Sequence, residues 1–272
     1  MILSDHHFAI GHQHSVCEDY AASREGFAAL ADGCSTVLDA EGKPIQAHTD
    51  IGARLLVRAA FRNCDERDPS MLVQFAVHTA DEYRRSLELS VDTLSATLLG
   101  LRDDGDVLTA FVSGDGLVAA RSCGKWQCFA HQYHPRPFYP RYCLLPRSDG
   151  QSCDRGLDLT VDDVFQDSAN FGYVGGAVGG GDFDPCQVSV YHFPKSDCDF
   201  VLAMSDGAFS FLKDGVPYWG PALASQLLDF RRMKGRFVLR NLSGVLRELA
   251  AKGIVHQDDI SMIALYEDGD PA

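Results

Sequence analysis

Three apolar runs in this chain end on the same dipeptide, Asp-Gly: Phe27-Ala-Ala-Leu-Ala-Asp32, Phe111-Val-Ser-Gly-Asp115 and Phe200-Val-Leu-Ala-Met-Ser-Asp206. Each run reads as a strand buried on both faces, so its terminal carboxylate sits at the mouth of a low-dielectric interior. A charge there is costly unless a cation or hydrogen-bond donors compensate it. Two acidic doublets, Glu18-Asp19 after the first strand-like run and Asp258-Asp259 before the last, have the same placement. Asp-Gly also occurs at 104, 149, 214 and 268, but there it follows charged or polar residues and reads as a turn. Carboxylates that converge repel one another, and hard divalent cations with oxygen ligands are the economical remedy. No Cys/His spacing joins the set, so Mg²⁺ or Mn²⁺ is favoured over Zn²⁺.

The remaining pattern predicts an α+β fold with sheet on sheet and helices outside. Strands are expected at His7–Ile10, Phe27–Ala31, Leu94–Leu101, Asp106–Ser113, Leu117–Arg121, Gln187–Phe193, Phe200–Met204 and Ile260–Tyr266. Thr49 or Asp50 can cap a first helix. Asp68-Pro69 starts a second, with Leu72, Phe75, Ala76, Thr79 and Tyr83 on one face, and Pro221–Arg232 and Phe237–Ala251 read as two more. At 272 residues the chain can be one large domain. Residues 124–181, rich in Pro and Gly, read as an irregular surface excursion.

Twenty-four Lys and Arg against 38 Asp and Glu give a net charge of −14, which argues against nucleic-acid or anionic-membrane partners. No stretch approaches the ~18–20 apolar residues of a membrane span. Nine scattered cysteines, with no C-x-x-C pair, read as reduced thiols of a cytoplasmic protein. A zinc site drawn from Cys123, Cys128, Cys143 and His131 or His134 is an alternative, though its spacing fits no usual pattern.

The order and spacing of these motifs resemble the metal-dependent type 2C, or PPM, serine/threonine protein phosphatases. The resemblance rests on Gly11-x-x-His14-x-x-x-Glu18-Asp19, Asp32-Gly33, Leu94-Ser-Ala-Thr97 leading into Gly114-Asp115-Gly116, Leu202-Ala-Met-Ser-Asp206-Gly207 and His256-Gln-Asp258-Asp259-Ile-Ser261. It implies a four-layer αββα sandwich in which two antiparallel sheets pack face to face. It implies that Asp32 bridges two divalent cations, that the Gly33 carbonyl helps hold one, and that Asp206 and Asp258 complete a shell. Glu18 and Asp19 would hold the second ion directly or through water, and Asp115 with Asp206 a third, weaker one. Ser95, Thr97 and Ser205 would have the lesser role of strand and turn residues. The implied reaction is hydrolysis of phosphoserine and phosphothreonine by a metal-bridged water, without a phosphoenzyme, in opposition to a Ser/Thr kinase.

The chain departs from that pattern in several places. His14 stands where the family has an arginine that forks onto substrate phosphate, which implies a weaker or pH-dependent anchor. Cys34-Ser35-Thr36 replaces the usual glycines after the first Asp-Gly, so no general acid is assigned; His12 and His48 are near only in sequence. Asp259 replaces a common Asn, as a supporting acceptor or a turn cap. A different class of function therefore stays open: a phosphatase-like module of little or no turnover that binds or regulates a phosphoprotein or kinase partner.

Overall fold

The computed structural model describes residues 1–38, 42–131, 139–144 and 188–268. In chain order the first elements are β1 (Ile2–Ala9), β2 (Tyr20–Arg24), β3 (Phe27–Ala31), β4 (Val37–Leu38), β5 (Pro44–Ile45), α1 (Thr49–Arg62) and α2 (Pro69–Ser86). Next come β6 (Leu98–Asp103), β7 (Val107–Ser113), β8 (Gly116–Ser122), β9 (Lys125–His131), β10 (Ser189–Pro194) and β11 (Cys198–Met204). The last are β12 (Phe211–Lys213), β13 (Val216–Pro217), α3 (Pro221–Leu227), α4 (Phe237–Ala250), β14 (Ile254–His256) and β15 (Ile260–Glu267).

Two five-stranded antiparallel sheets form the centre, ordered β1-β15-β11-β8-β9 and β10-β7-β6-β3-β2. The central strands are apolar throughout because both their faces are covered. In β15, Ile263 and Leu265 point into the space between the sheets, where they meet Ala28, Leu30 and Leu99 of the other sheet. The alternate residues Met262 and Ala264 face outward and pack on Phe237, Val238 and Leu242 of α4. Likewise Phe27, Ala29 and Ala31 of β3 face α1 and α2. Three stacked cores thus make the four-layer αββα sandwich that the sequence implied.

Asp68 caps α2 as expected, accepting from the Ser70 and Met71 amides. The buried face of α2 is Leu72, Val73, Ala76, Val77 and Ala80, while Phe75 is exposed, so the expected stripe is rotated. For α1 the capping position belongs to His48, in a left-handed conformation without a side-chain cap, and Thr49 is already helical. Helix α3 stops at Leu227, short of the expected Arg232.

The expected irregular stretch also needs correction at its start. Lys125–His131 is a strand, joined to β8 by a tight turn in which Cys123 and Gly124 both have positive φ, the geometry that suits a hairpin. Trp126, Cys128 and Ala130 pack outward against the core that holds Phe200 and Leu202, while Phe129 is buried between the two sheets. Most of the rest of that stretch lies outside the described residues. Six described cysteines are free thiols, but Cys143 is disulfide-bonded, contrary to the all-thiol reading and to its use in a zinc site. No described helix is long and apolar enough to cross a membrane.

Candidate active site

Antiparallel pairing brings the carboxylates together in two steps. In one sheet Tyr20 of β2 pairs with Ala31 of β3, and the Gly33 amide donates to the Glu18 carbonyl at 3.3 Å. This register, continued past the strands, sets Asp19 opposite Asp32. A side chain at Gly33 would come within 2.9 Å of the Glu18 and Thr49 carbonyls, so the approach depends on glycine. In the other sheet Met204 of β11 pairs with Met262 of β15, and the Ser205 amide donates to the Ser261 carbonyl at 3.1 Å. Gly207 then lies so close to the Asp259 carbonyl that an added Cβ would sit 1.7 Å from it, holding Asp206 against the Asp258-Asp259 doublet.

A hydroxyl links Asp19 of one half to the β11 end of the other. Ser205 Oγ donates to Asp19 Oδ2 at 2.7 Å and itself accepts from the Ser261 amide at 2.9 Å. Asp19 is 1% exposed, and its other oxygen, Oδ1, is buried without a hydrogen-bond partner. Thr97 frames Asp32 from below: its amide donates to the Asp32 carbonyl at 2.9 Å and its hydroxyl accepts from the Asp32 amide at 3.2 Å.

The electrostatics follow from this crowding. Desolvation, then the charges of Asp19 and Asp206, push the Asp32 carboxyl well above its ordinary value. Desolvation raises Asp19 to about 7 against the help of its hydrogen bond from Ser205, and it raises Asp258 to about 6, with the Asp206 charge adding to the effect. Four carboxylates gathered at one end of the sandwich, with one buried oxygen lacking a donor, are a donor set that suits hard divalent cations. Asp19, Asp32, Asp206 and Asp258 are the residues that would hold them.

Other expected site residues are placed differently. Glu18 turns its carboxylate toward the Thr49 hydroxyl at 3.3 Å and groups with His14 and Asp259. His14 does not present a free fork: Nε2 lies 3.4 Å from Asp258 Oδ1 and Nδ1 lies 3.2 Å from Asp259 Oδ2, out of line for a hydrogen bond. Burial disfavours its charged form, but its contact with Asp259 and the charges of Asp259, Asp258 and Glu18 outweigh this and raise its pKa. Asp115 is buried in the turn from β7 to β8, beside Gly116, where a Cβ would come within 2.8 Å of the Met204 carbonyl.

Asp259 has a role that its position in the sequence only half shows. Its Oδ1 accepts from the Gly11 amide at 2.7 Å and its Oδ2 from the Glu18 amide at 2.5 Å, so one buried carboxylate closes both ends of the loop between β1 and β2. Tyr139 was not singled out by sequence reasoning. It is 7% exposed, contacts Cys34 and lies near Asp32; burial first, then Cys34 and the Asp32 charge, keep its hydroxyl protonated. The only signal for it was the aromatic density of His131–Tyr142. A cavity of about 480 Å³ opens beside the carboxylates, lined in part by His14, Glu18, Cys34 and Thr49.

No protein-family model matches the chain, and no curated protein matches it by sequence. Solved structures do match along its whole length. The serine/threonine phosphatase PstP/Ppp of Mycobacterium tuberculosis covers 98% of this chain and 99% of its own, with a TM-score of 0.58 at 13% identity. The serine/threonine phosphatase of S. agalactiae covers 98% and 100%, with a TM-score of 0.56 at 14% identity. PppA of Pseudomonas aeruginosa, described as a key regulatory component of T6SS, covers 97% of both chains, with a TM-score of 0.52 at 15% identity. A further PstP structure, in complex with 2 manganese ions, has a TM-score of 0.57 at 15% identity. At such identities the likeness is one of architecture, and the chain has the fold of the PPM-type bacterial serine/threonine phosphatases.

Proposed function

We propose that this protein is a metal-dependent phosphoprotein phosphatase that hydrolyses phosphoserine or phosphothreonine in the cytoplasm, opposing a Ser/Thr kinase. The observation that carries the reading is the meeting of Asp19, Asp32, Asp206 and Asp258 at one end of the sandwich, with Asp19 Oδ1 buried and unpartnered. A pair of bound divalent cations, Mg²⁺ or Mn²⁺, supplies an activated water and neutralises phosphate charge. The chain's own residues do the rest. Asp32 lies at the centre of the cluster, Ser205 fixes the orientation of Asp19, and Asp259 holds the loop that carries Glu18 and His14. The Gly33 carbonyl is a further ligand in this reading, and Asp115 with Asp206 would hold a third, weaker ion. The six described free thiols support the cytoplasmic placement, and the disulfide at Cys143 counts against it.

The test is turnover of p-nitrophenyl phosphate and a phosphothreonine peptide with and without Mn²⁺, for wild type and Asp206→Asn. Metal-dependent hydrolysis lost in the variant is the expected result. Metal-independent turnover, or an unaffected variant, would refute the reading. One observation favours a second reading, a phosphoprotein-binding module of little turnover: His14 faces Asp258 and Asp259 and offers phosphate no free bidentate fork. Stoichiometric metal binding with no turnover on any phosphosubstrate would decide for it.

A further inference from the structure

Among the described residues, one group of three metal-ligating side chain types gathers beside the four aspartates. It consists of His14, Glu18 and Asp259, with one ligand atom of each lying within 4.8 Å of the others. Each is held in place by a second contact. Asp259 is fixed by the Gly11 and Glu18 amides, Glu18 Oε1 accepts the Thr49 hydroxyl, and His14 Nε2 stands 3.4 Å from Asp258 Oδ1. His14 Nδ1 is different: it is buried and makes no hydrogen bond, although Asp259 Oδ2 is only 3.2 Å away.

An ion pair would align an N–H with that oxygen. A ligand nitrogen need not, because its lone pair is directed at a third atom placed between the donors. A histidine that gives its other ring nitrogen to a carboxylate is the usual arrangement around a bound metal. One imidazole with two carboxylates suits first-row transition dications, whereas Mg²⁺ prefers oxygen alone.

We propose that His14 Nδ1, Glu18 and Asp259 form a mixed nitrogen and oxygen site for a transition-metal dication such as Mn²⁺ or Zn²⁺. It shares no residue with the cluster of Asp19, Asp32, Asp206 and Asp258, and it engages His14 as a ligand, which removes it as a phosphate anchor. The site does not depend on phosphoester hydrolysis.

The experiment uses the full chain, with Mn²⁺ and Mg²⁺ binding counted by equilibrium dialysis and bound Mn²⁺ examined by pulsed electron paramagnetic resonance for ¹⁴N coupling. Binding of one more Mn²⁺ than Mg²⁺, with coupling to one imidazole, is expected. His14→Arg replaces the neutral ligand with a fixed cation, and His14→Ala removes the ligand without adding charge. Each should abolish the nitrogen coupling and weaken that one ion about tenfold or more, because even losing a supporting partner costs that much. His12→Ala should retain the coupling. Equal Mn²⁺ and Mg²⁺ counts, no nitrogen coupling, or coupling that survives in His14→Arg would overturn the proposal. Coupling seen in a preparation without turnover would still support it, which separates its fate from that of the hydrolytic reading.

Discussion

The Ser205 hydroxyl donates to Asp19 Oδ2 at 2.7 Å, across a sequence separation of 186 residues. This bond links the end of β11 in one sheet to the start of β2 in the other, and it is the one partner that Ser205 supplies to a carboxylate whose other oxygen has none. Ser205→Ala should therefore cost about 1–3 kcal/mol, the penalty for stranding a buried charged acceptor. The loss should be largest in metal-free protein, where nothing else compensates Asp19. Urea denaturation with EDTA and with saturating Mn²⁺ checks this, and equal losses in both conditions would contradict it.

Asp259 closes the loop between β1 and β2 by accepting two amides. Asp259→Ala strands both donors, each at a cost of about 1–3 kcal/mol. Asp259→Asn keeps an acceptor oxygen and should lose less. Amide hydrogen exchange at Gly11 and Glu18 is the measurement: both should lose protection in the alanine variant. Retained protection there would show that the loop is held by other contacts.

The carboxylate cluster makes metal-free stability depend on pH with a definite sign. Asp19 is raised to about 7 and Asp258 to about 6 from an ordinary 3.8, so between those values the folded state binds more protons than the unfolded chain. Their contribution is fully present below the unfolded value and is lost as pH rises through about 6 to 7. The Tm of EDTA-treated protein, taken as the difference between wild type and Asp19→Asn, should fall over that window. Saturating Mn²⁺ should remove the fall, because a cation bound to the folded state replaces the protons and adds about 2.7 kcal/mol at a hundred times Kd. A difference that stays flat with pH in EDTA would refute the burial of Asp19.

Two glycines should respond in opposite directions. Gly207→Ala would place a methyl 1.7 Å from the Asp259 carbonyl, and backbone cannot swing aside as a side chain can. Its cost should reach the upper end of the about 1–3 kcal/mol seen for overpacking, with metal binding impaired. Gly244, inside α4, has nothing within 4 Å of its added Cβ, so Gly244→Ala should stabilise by about 0.5–1 kcal/mol through helix propensity. Chemical denaturation of the pair gives both signs.

What the sequence made legible was the strand ends. Runs such as Phe27–Ala31 and Phe200–Met204 are apolar throughout because helices cover one face and the opposing sheet the other, and that same burial marks Asp32 and Asp206 as unusual. The side-chain directions in loops were hidden. His14 turns toward Asp258 and Asp259 because Asp259 fixes both ends of its loop from more than 240 positions away, a constraint no local pattern carries. Ser205 looked like an ordinary turn residue, since its worth lies in Asp19. The edge strand Lys125–His131 was missed because its alternation is weak and Gly124 reads as a break, though here it supplies the positive φ of a hairpin.

The placement of β15 between β1 and β11 has a consequence for how the protein comes into being. Asp258 and the Ser261 amide that supports Ser205 stand at its start, so the cluster draws on residues 19, 32, 206 and 258 and lacks a member until that strand has docked. Pairings this distant in sequence are slow to form, since loop closure must precede any gain from contact. During synthesis a nascent chain could set Asp19 opposite Asp32 through the β2–β3 pair, but Asp258 would not join them until β15 had emerged. Metal capture would then follow the docking of β15, and a chain cut before that strand would be silent.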